Sequence, residues 1–255
     1  MSNFLKFSLF QLAFALCMAN TSYSQKISYD GIAKYWIIEG NRVISFTQTE
    51  KLSKSFSRIV LGEPASVDAS DPFRILVFYS NAQAIAIINA EAALVGNTID
   101  LNSLGVGEIS HATRSSLGGA WFALDGIPKL LRVNKQFLHV EQTVTLPNRY
   151  AKHPVVQIAE HNGSLYVGLS NGSILVFDTY GSLEKELFFD PFTMFLLNRQ
   201  SLFIVKTDSV VEYSLSNHNH MNGQYHCTCS PYIAIVGNEV ACFNGKLFVF
   251  CEKIE

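Results

Sequence analysis

Along the chain, short apolar runs alternate with tight polar turns. Trp36-Ile37-Ile38, Trp121-Phe122-Ala123-Leu124, Leu165-Tyr166-Val167, Leu202-Phe203-Ile204-Val205 and Val240-Ala241-Cys242-Phe243 are each followed by a turn and a second apolar run. The turns include Glu39-Gly40-Asn41, Asp125-Gly126, Asn171-Gly172 and Asn244-Gly245. Asn-Gly or Asp-Gly between apolar runs is a strong local hairpin signal, because both residues tolerate positive φ. The pattern therefore predicts a chain of β-hairpins.

Proline supplies an independent ruler, since it sits readily ahead of a strand but cannot donate within one. Asp71-Pro72-Phe73, His153-Pro154-Val155, Asp190-Pro191-Phe192 and Ser230-Pro231-Tyr232 each lead into an apolar strand. Their spacing follows a period of about forty residues, with one period skipped between Pro72 and Pro154. The skipped unit belongs near Thr113, ahead of Trp121, and one period before Pro72 lies Gly31, just ahead of Trp36. Six units follow, with starts near residues 28, 72, 112, 154, 191 and 231. Within the second, Arg74–Tyr79 can be the first or the second strand. The best helical candidate, Asn89–Val95, is barely two turns long. Units of this size built from strands match a four-stranded propeller blade, and radial repetition hides the sheet edges that stacked hairpins expose. The expected fold is all-β, a six-bladed β-propeller over residues 25–255, with a β-sandwich or two small β domains as the alternative. Ring closure is expected from pairing of the last strand, Lys246–Cys251, with the first, Lys26–Tyr29.

The N-terminal segment, residues 1–24, reads differently. It holds one cation, Lys6, then the apolar stretch Phe7–Ala19, then Ser22-Tyr23-Ser24 before Gln25. This is the three-part layout of a secretory signal, and its apolar core is too short to span a bilayer. A lipoprotein signal acylated at Cys17 is the alternative, set back by the bulky Leu16 before it. The expected location is secreted or periplasmic, with outer-membrane association an option. At 48% hydrophobic residues and a mean hydropathy of +0.18, the chain is rich enough to build a core. Nineteen Lys and Arg against 21 Asp and Glu, without a basic run, argue against a nucleic-acid partner. No transmembrane span is expected in the mature chain.

One unit carries a family resemblance. From Pro154 to Leu187 the sequence runs through Leu165-Tyr166-Val167, the polar hairpin Ser170-Asn171-Gly172-Ser173 and Val176-Phe177-Asp178 to Gly181. This resembles a blade of the NHL, TolB-like and quinoprotein-type propellers. As a whole, the chain is similar to small secreted propellers of Gram-negative bacteria without recognised activity. The resemblance implies a binding platform, an inference at the level of fold. It also raises the six-bladed lactonases, which bind calcium in the central channel. On that comparison Glu63, Asp68, Glu160, Asn198 and Asp208 are conceivable ligands, although nothing aligns them with that family's motif.

The stretch His218–Cys229 crowds three imidazoles, a thioether and two thiols, a ligand set for copper or zinc. Its His-x-His and Cys-x-Cys spacings do not match closed zinc sites, and it reads as an exposed loop between blades. If Asn244-Gly245 is a two-residue turn, Cys242 and Cys251 stand roughly 13 Å apart along the ladder, too far for a bond. Both read as buried small residues, leaving Cys227 or Cys229 as the bridging or reactive thiol. Gly-x-Ser-x-Gly, His-Glu-x-x-His and Walker-type motifs do not occur in the sequence. Ser116-Leu117-Gly118-Gly119 reads as a blade connection. Asp125, Asp178 and Asp208 read as turn formers. Trp36 and Trp121 read as core, and the sequons at Asn162 and Asn171 as turns. No catalytic residue, cofactor or metal site is assigned. The sequence reads as a non-catalytic scaffold, a monomer or part of an envelope complex, for a protein or cell-envelope component. A metal-dependent lactonase-type hydrolase is the alternative.

Overall fold

The computed structural model describes residues 26–47, 54–218, 220–227, 232–237, 239–244 and 247–254. The predicted export segment and Cys17 lie outside the described residues, as do Pro231 and Cys229.

Antiparallel pairing runs through six small sheets. Blade 1 holds β1 (Ile27–Tyr29), β2 (Lys34–Glu39), β3 (Arg42–Thr47) and β4 (Lys54–Ser57). Blade 2 holds β5 (Ser66–Asp68), β6 (Ile75–Tyr79), β7 (Ala84–Ile88) and β8 (Ile99–Asp100). Blade 3 comprises β9 (Ile109–Arg114), β10 (Ala120–Leu124), β11 (Lys129–Val133) and β12 (Val140–Thr145). Blade 4 comprises β13 (Val155–His161), β14 (Ser164–Leu169), β15 (Ser173–Phe177) and β16 (Leu183–Phe188). Blade 5 is formed by β17 (Met194–Leu197), β18 (Ser201–Val205), β19 (Ser209–Ser214) and β20 (Met221–His226). Blade 6 has β21 (Ile233–Val236), β22 (Glu239–Phe243) and β23 (Phe248–Phe250), and β24 (Glu252–Ile254) leaves it to pair with β20. The molecule is a six-bladed β-propeller.

The middle strands explain the solid apolar runs. In β6, β7, β10, β15 and β18 every residue is buried, because blades pack on both sides of each sheet. The outer strands β4, β12 and β16 are partly exposed and carry the polar residues. Six apolar clusters result, one at each blade interface. Trp36 sits between blades 1 and 2 and Trp121 between blades 3 and 4, both fully buried.

Ring closure departs from expectation. β1 pairs with β2 as the innermost strand of its own blade, not with the C-terminal strand. Blades 6 and 1 instead meet through the cluster that joins Ile27, Tyr35, Ile37 and Phe46 to Ala234, Val236 and Phe243. Two hydroxyls tie that interface: Tyr35 donates to the Ile235 carbonyl at 3.1 Å and Tyr232 to that of Ile38 at 2.9 Å.

The cysteine expectations need a parallel correction. Phe243 pairs with Phe248, so the turn spans four residues and Cys242 faces Val249. Cys251 lies between β23 and β24 and is bonded to Cys227, with Cα atoms 4.8 Å apart. That bond forms because β24 crosses to blade 5, where Glu252 pairs with His226. Cys242 is disulfide-bonded as well. Neither is simply a small core residue, and of the two thiols left open, Cys227 bridges.

Two further differences are local. Arg74–Tyr79 contains the second strand of its blade, with Ser66–Asp68 the first, so Pro72 lies in the turn between them rather than ahead of the blade. Asn89–Val95 forms no helix: the Asn89 side chain accepts from the Glu91 and Ala93 amides, closing a loop in which Ala92 takes φ 58°. So short a segment has no margin against such a local competitor.

Candidate functional site

Because the strands alternate in direction, each blade has two distinct ends. Turns from first to second and third to fourth strand emerge on one face of the ring, here the turn face. Second-to-third turns and blade-to-blade segments emerge on the other, the connection face.

Around the axis, innermost strands bond to the next blade. The Ser28 hydroxyl accepts from the Ala69 amide at 2.9 Å. Asp68 accepts from the Thr113 hydroxyl at 2.6 Å and the Arg114 amide at 2.8 Å. The buried Gln157 amide donates to the Phe195 carbonyl and accepts from its N–H, both at 2.9 Å. The His111 Nδ1 lies 3.0 Å from the Ser110 hydroxyl, and burial pushes this imidazole down to about 4, so it is neutral at physiological pH.

The five conceivable calcium ligands do not converge. Asp68, Glu160 and Asn198 stand toward the turn face, whereas Glu63 and Asp208 stand on the connection face. Glu160 accepts from the Trp121 indole and the Ser116 amide, both at 2.8 Å. Asn198 caps its own turn through the Gln200 and Ser201 amides, and Glu63 faces Lys26 at 3.9 Å. Asp208 accepts from Cys227 N–H through its backbone carbonyl. Among the described residues no group of three or more His, Cys, Asp or Glu is placed to hold a metal.

The His-rich stretch is likewise dispersed. Met221–His226 is a strand, β20, and not a loop, so its side chains alternate between faces. Cys227 is oxidised and offers no thiolate. His218 is half-buried, and burial together with Lys185 holds it below the ordinary imidazole range. Asp178 caps its turn through the Tyr180 and Ser182 amides, and Asn171 accepts from Ser173.

Two clefts open side by side on the connection face. The first, of about 160 Å³, lies between blades 3 and 4. Leu124, Leu146, Tyr150 and Val155 give it apolar walls, and Ser110, Asp125, Lys152 and His153 also line it. Ser110 is the extra residue of a β-bulge between Ile109 and His111, a device that re-aims a side chain. The segment bearing Lys152 and His153 is fixed by Tyr150, whose hydroxyl donates to Glu186 at 2.8 Å, and by the Arg149–Glu186 ion pair. Lys152 makes no ion pair among the described residues. The second cleft, of about 330 Å³, is lined by Gln83, Asn102, Gly105, Val106, Gly107 and Glu108. Gln83, held at φ 46°, clamps both backbone groups of Ile109, donating at 2.9 Å and accepting at 2.8 Å. Glu108 joins the clefts, its carbonyl accepting from the Asp125 amide at 2.8 Å.

Gln83, Glu108 and Lys152 were not singled out by sequence reasoning, and His153 entered only as the residue ahead of Pro154. The Gly-Val-Gly run at 105–107 is the one local hint that backbone there takes an unusual path, with Gly105 and Gly107 both at positive φ.

No protein-family model and no curated protein matches the chain. Among solved structures, a streptogramin B lyase is similar at 15% identity and TM-score 0.59, over 88% of this chain and 76% of that one. A protein of unknown function from Bacteroides caccae is similar at 15% identity and TM-score 0.56, over 87% of this chain and 94% of that one. A chain of a mitotic checkpoint complex is similar at 10% identity and TM-score 0.57, over 88% of this chain and 71% of that one. The likeness is one of fold. An enzyme and a component of a protein assembly share it.

Proposed function

We propose that the protein is an exported, non-catalytic propeller that binds a protein or cell-envelope component through the loops of its connection face. The observation that carries this reading is the pair of adjoining clefts on that face, whose rims are pinned by Tyr150–Glu186 and by Gln83. A rigid scaffold presenting loops is suited to recognition. Asp68 and Glu160, acidic groups on innermost strands, accept protein donors instead of standing free. The disulfide between Cys227 and Cys251 supports an oxidising compartment and agrees with an N-terminal export signal over residues 1–24.

Affinity capture from the native envelope, run beside the Ile127→Asp and Lys152→Glu variants, tests the proposal. One partner recovered by the parent chain and lost by both variants is expected. Stoichiometric calcium or zinc in the purified protein, lost together with a hydrolytic activity in Glu160→Gln or Asp208→Asn, would overturn it in favour of the lactonase-type reading.

A further inference from the structure

Blade 6 ends one strand short of the others. In blades 1 to 4 the third strand is covered by a fourth, and in blade 5 β19 is covered by β20 and then β24. In blade 6 the sheet stops at β23, because the chain leaves for β20 at Glu252. Among the described residues no strand pairs with the outer edge of β23. Its sequence is nevertheless that of a covered strand. Phe248-Val249-Phe250 is wholly apolar, like the third strands β7 and β15, which are buried throughout. Val249 is 37% exposed, Phe250 54% and the preceding Leu247 56%. The outermost strands of the other five blades carry charge, with Lys54, Asp100, Glu141, Lys185 and Lys253 in turn. Charge on an outer strand discourages edge-to-edge pairing, and β23 has none.

The ladder to β22 shows which backbone groups are open. The Asn244 N–H donates to the Leu247 carbonyl at 3.1 Å, and the Cys251 N–H to that of Val240 at 2.8 Å. Antiparallel pairs alternate between bonded and unbonded. The pair midway between those two, Cys242 with Val249, is therefore bonded, whereas Phe243 with Phe248 and Ala241 with Phe250 are not. It follows that the N–H and C=O groups of Phe248 and Phe250 point away from β22. The strand that presents them is held in place: the Phe248 ring packs against Tyr35 at 4.5 Å and Phe243 at 5.4 Å.

We infer that β23 pairs antiparallel with β23 of a second copy of the chain, about a two-fold axis at Val249. Phe-Val-Phe reads the same in both directions, so this register sets Val249 against itself and Phe248 against Phe250 of the second copy. Each such Phe pair exchanges an N–H and a C=O in both directions, and every open group of the edge finds a partner. Like-sized apolar side chains then face each other along the whole contact. In sequence the run is flanked by Lys246 and Glu252. Antiparallel copies bring these unlike charges together, whereas parallel copies would set like against like. A self-complementary contact of this kind closes on two chains. The clefts belong to blades 2, 3 and 4, so pairing through blade 6 leaves them clear. The inference is independent of what they bind.

The mass of the purified, disulfide-intact protein in solution tests it. Sedimentation velocity is run across a concentration series, because so small a contact associates weakly. The parent should pass from one chain mass to two, and amide exchange over residues 247–251 should slow as it does. Val249→Lys and Val249→Glu each set like charges face to face at the axis and should weaken association by about tenfold or more. An equimolar mixture of the two should recover the dimer, since each charge then meets its opposite. Phe250→Pro removes an outward N–H and spares the ladder to β22, so it should stay monomeric with thermal unfolding close to the parent's. A parent that keeps one chain mass at every concentration overturns the inference and leaves the edge to a different partner. A dimer that the substitutions at Val249 do not weaken, or a mixture that does not restore it, overturns it too.

Discussion

Replacing Cys227 and Cys251 together by alanine tests the route of the C-terminal strand. The bond closes a segment of 24 residues that contains all of blade 6. In the chain-entropy model, a loop of that length restricts the unfolded chain by about 3.5 kcal/mol at 25 °C. For a chain of this size, this corresponds to a fall in Tm of about 7–14 °C. The effect should also be local. Cys227 follows the last residue of β20 and Cys251 precedes the first of β24, so the bond fixes the end of the β20–β24 ladder. Amide exchange across Glu252–Ile254 should rise well above that of β18 in the alanine variant. Urea unfolding gives the stability change and exchange mass spectrometry the locality. A loss below about 1 kcal/mol, with exchange in β24 unchanged, would refute the reasoning: the strand would then be held by pairing alone.

Three other outcomes follow from named bonds. Gln157→Leu removes both partners of the Phe195 backbone at a buried interface, so a loss of about 2–4 kcal/mol is expected in denaturant unfolding; Gln157→Glu, which sets a buried carboxylate against the Phe195 carbonyl, should lose at least as much at neutral pH. Trp121→Phe removes one of the two donors to the Glu160 carboxylate, leaving the Ser116 amide, and a loss of about 1–2 kcal/mol is expected. Combined with Glu160→Gln, that substitution should fall short of additivity in a double-mutant cycle. His111, ordinarily near 6.5, is pushed down to about 4 in the folded protein. The unfolded chain then binds the extra proton first as pH falls, so this residue's contribution is present above about pH 6.5 and is lost progressively toward pH 4. Stability measured against pH should show a shallower acid limb in His111→Gln.

The blades were legible in the sequence because each middle strand is buried on both faces. Leu202–Val205 and Trp121–Leu124 are unbroken apolar runs for that reason, and the turns between them carry Asn, Asp and Gly. Pro72 misled because proline fits any position that need not donate, within a blade as well as ahead of one. Closure was not legible. It rests on side chains packed between blades 6 and 1, while the last strand crosses to β20 of blade 5, and three residues of Glu-Lys-Ile carry no sign of which edge they meet. The cysteine pairing was hidden with it, because the ladder argument took Cys251 as part of the strand opposite Cys242. The clefts were missed for a different reason. They are walled by connecting segments such as Pro147–Val155, which have no hydrophobic period to read.

Sequence also cannot say whose N–H a carboxylate accepts, and that decides the character of the axis. Asp68 and Glu160 have the residue type of cation ligands, yet Asp68 holds Thr113 and Arg114 while Glu160 holds Trp121 and Ser116. An ion recruited to either would compete with bonds that link neighbouring blades, so ligation would be coupled to loosening of the ring. The Lys152 ammonium, which lines the cleft between blades 3 and 4 and makes no ion pair among the described residues, carries no such load. Binding built on it can change without altering how the blades close.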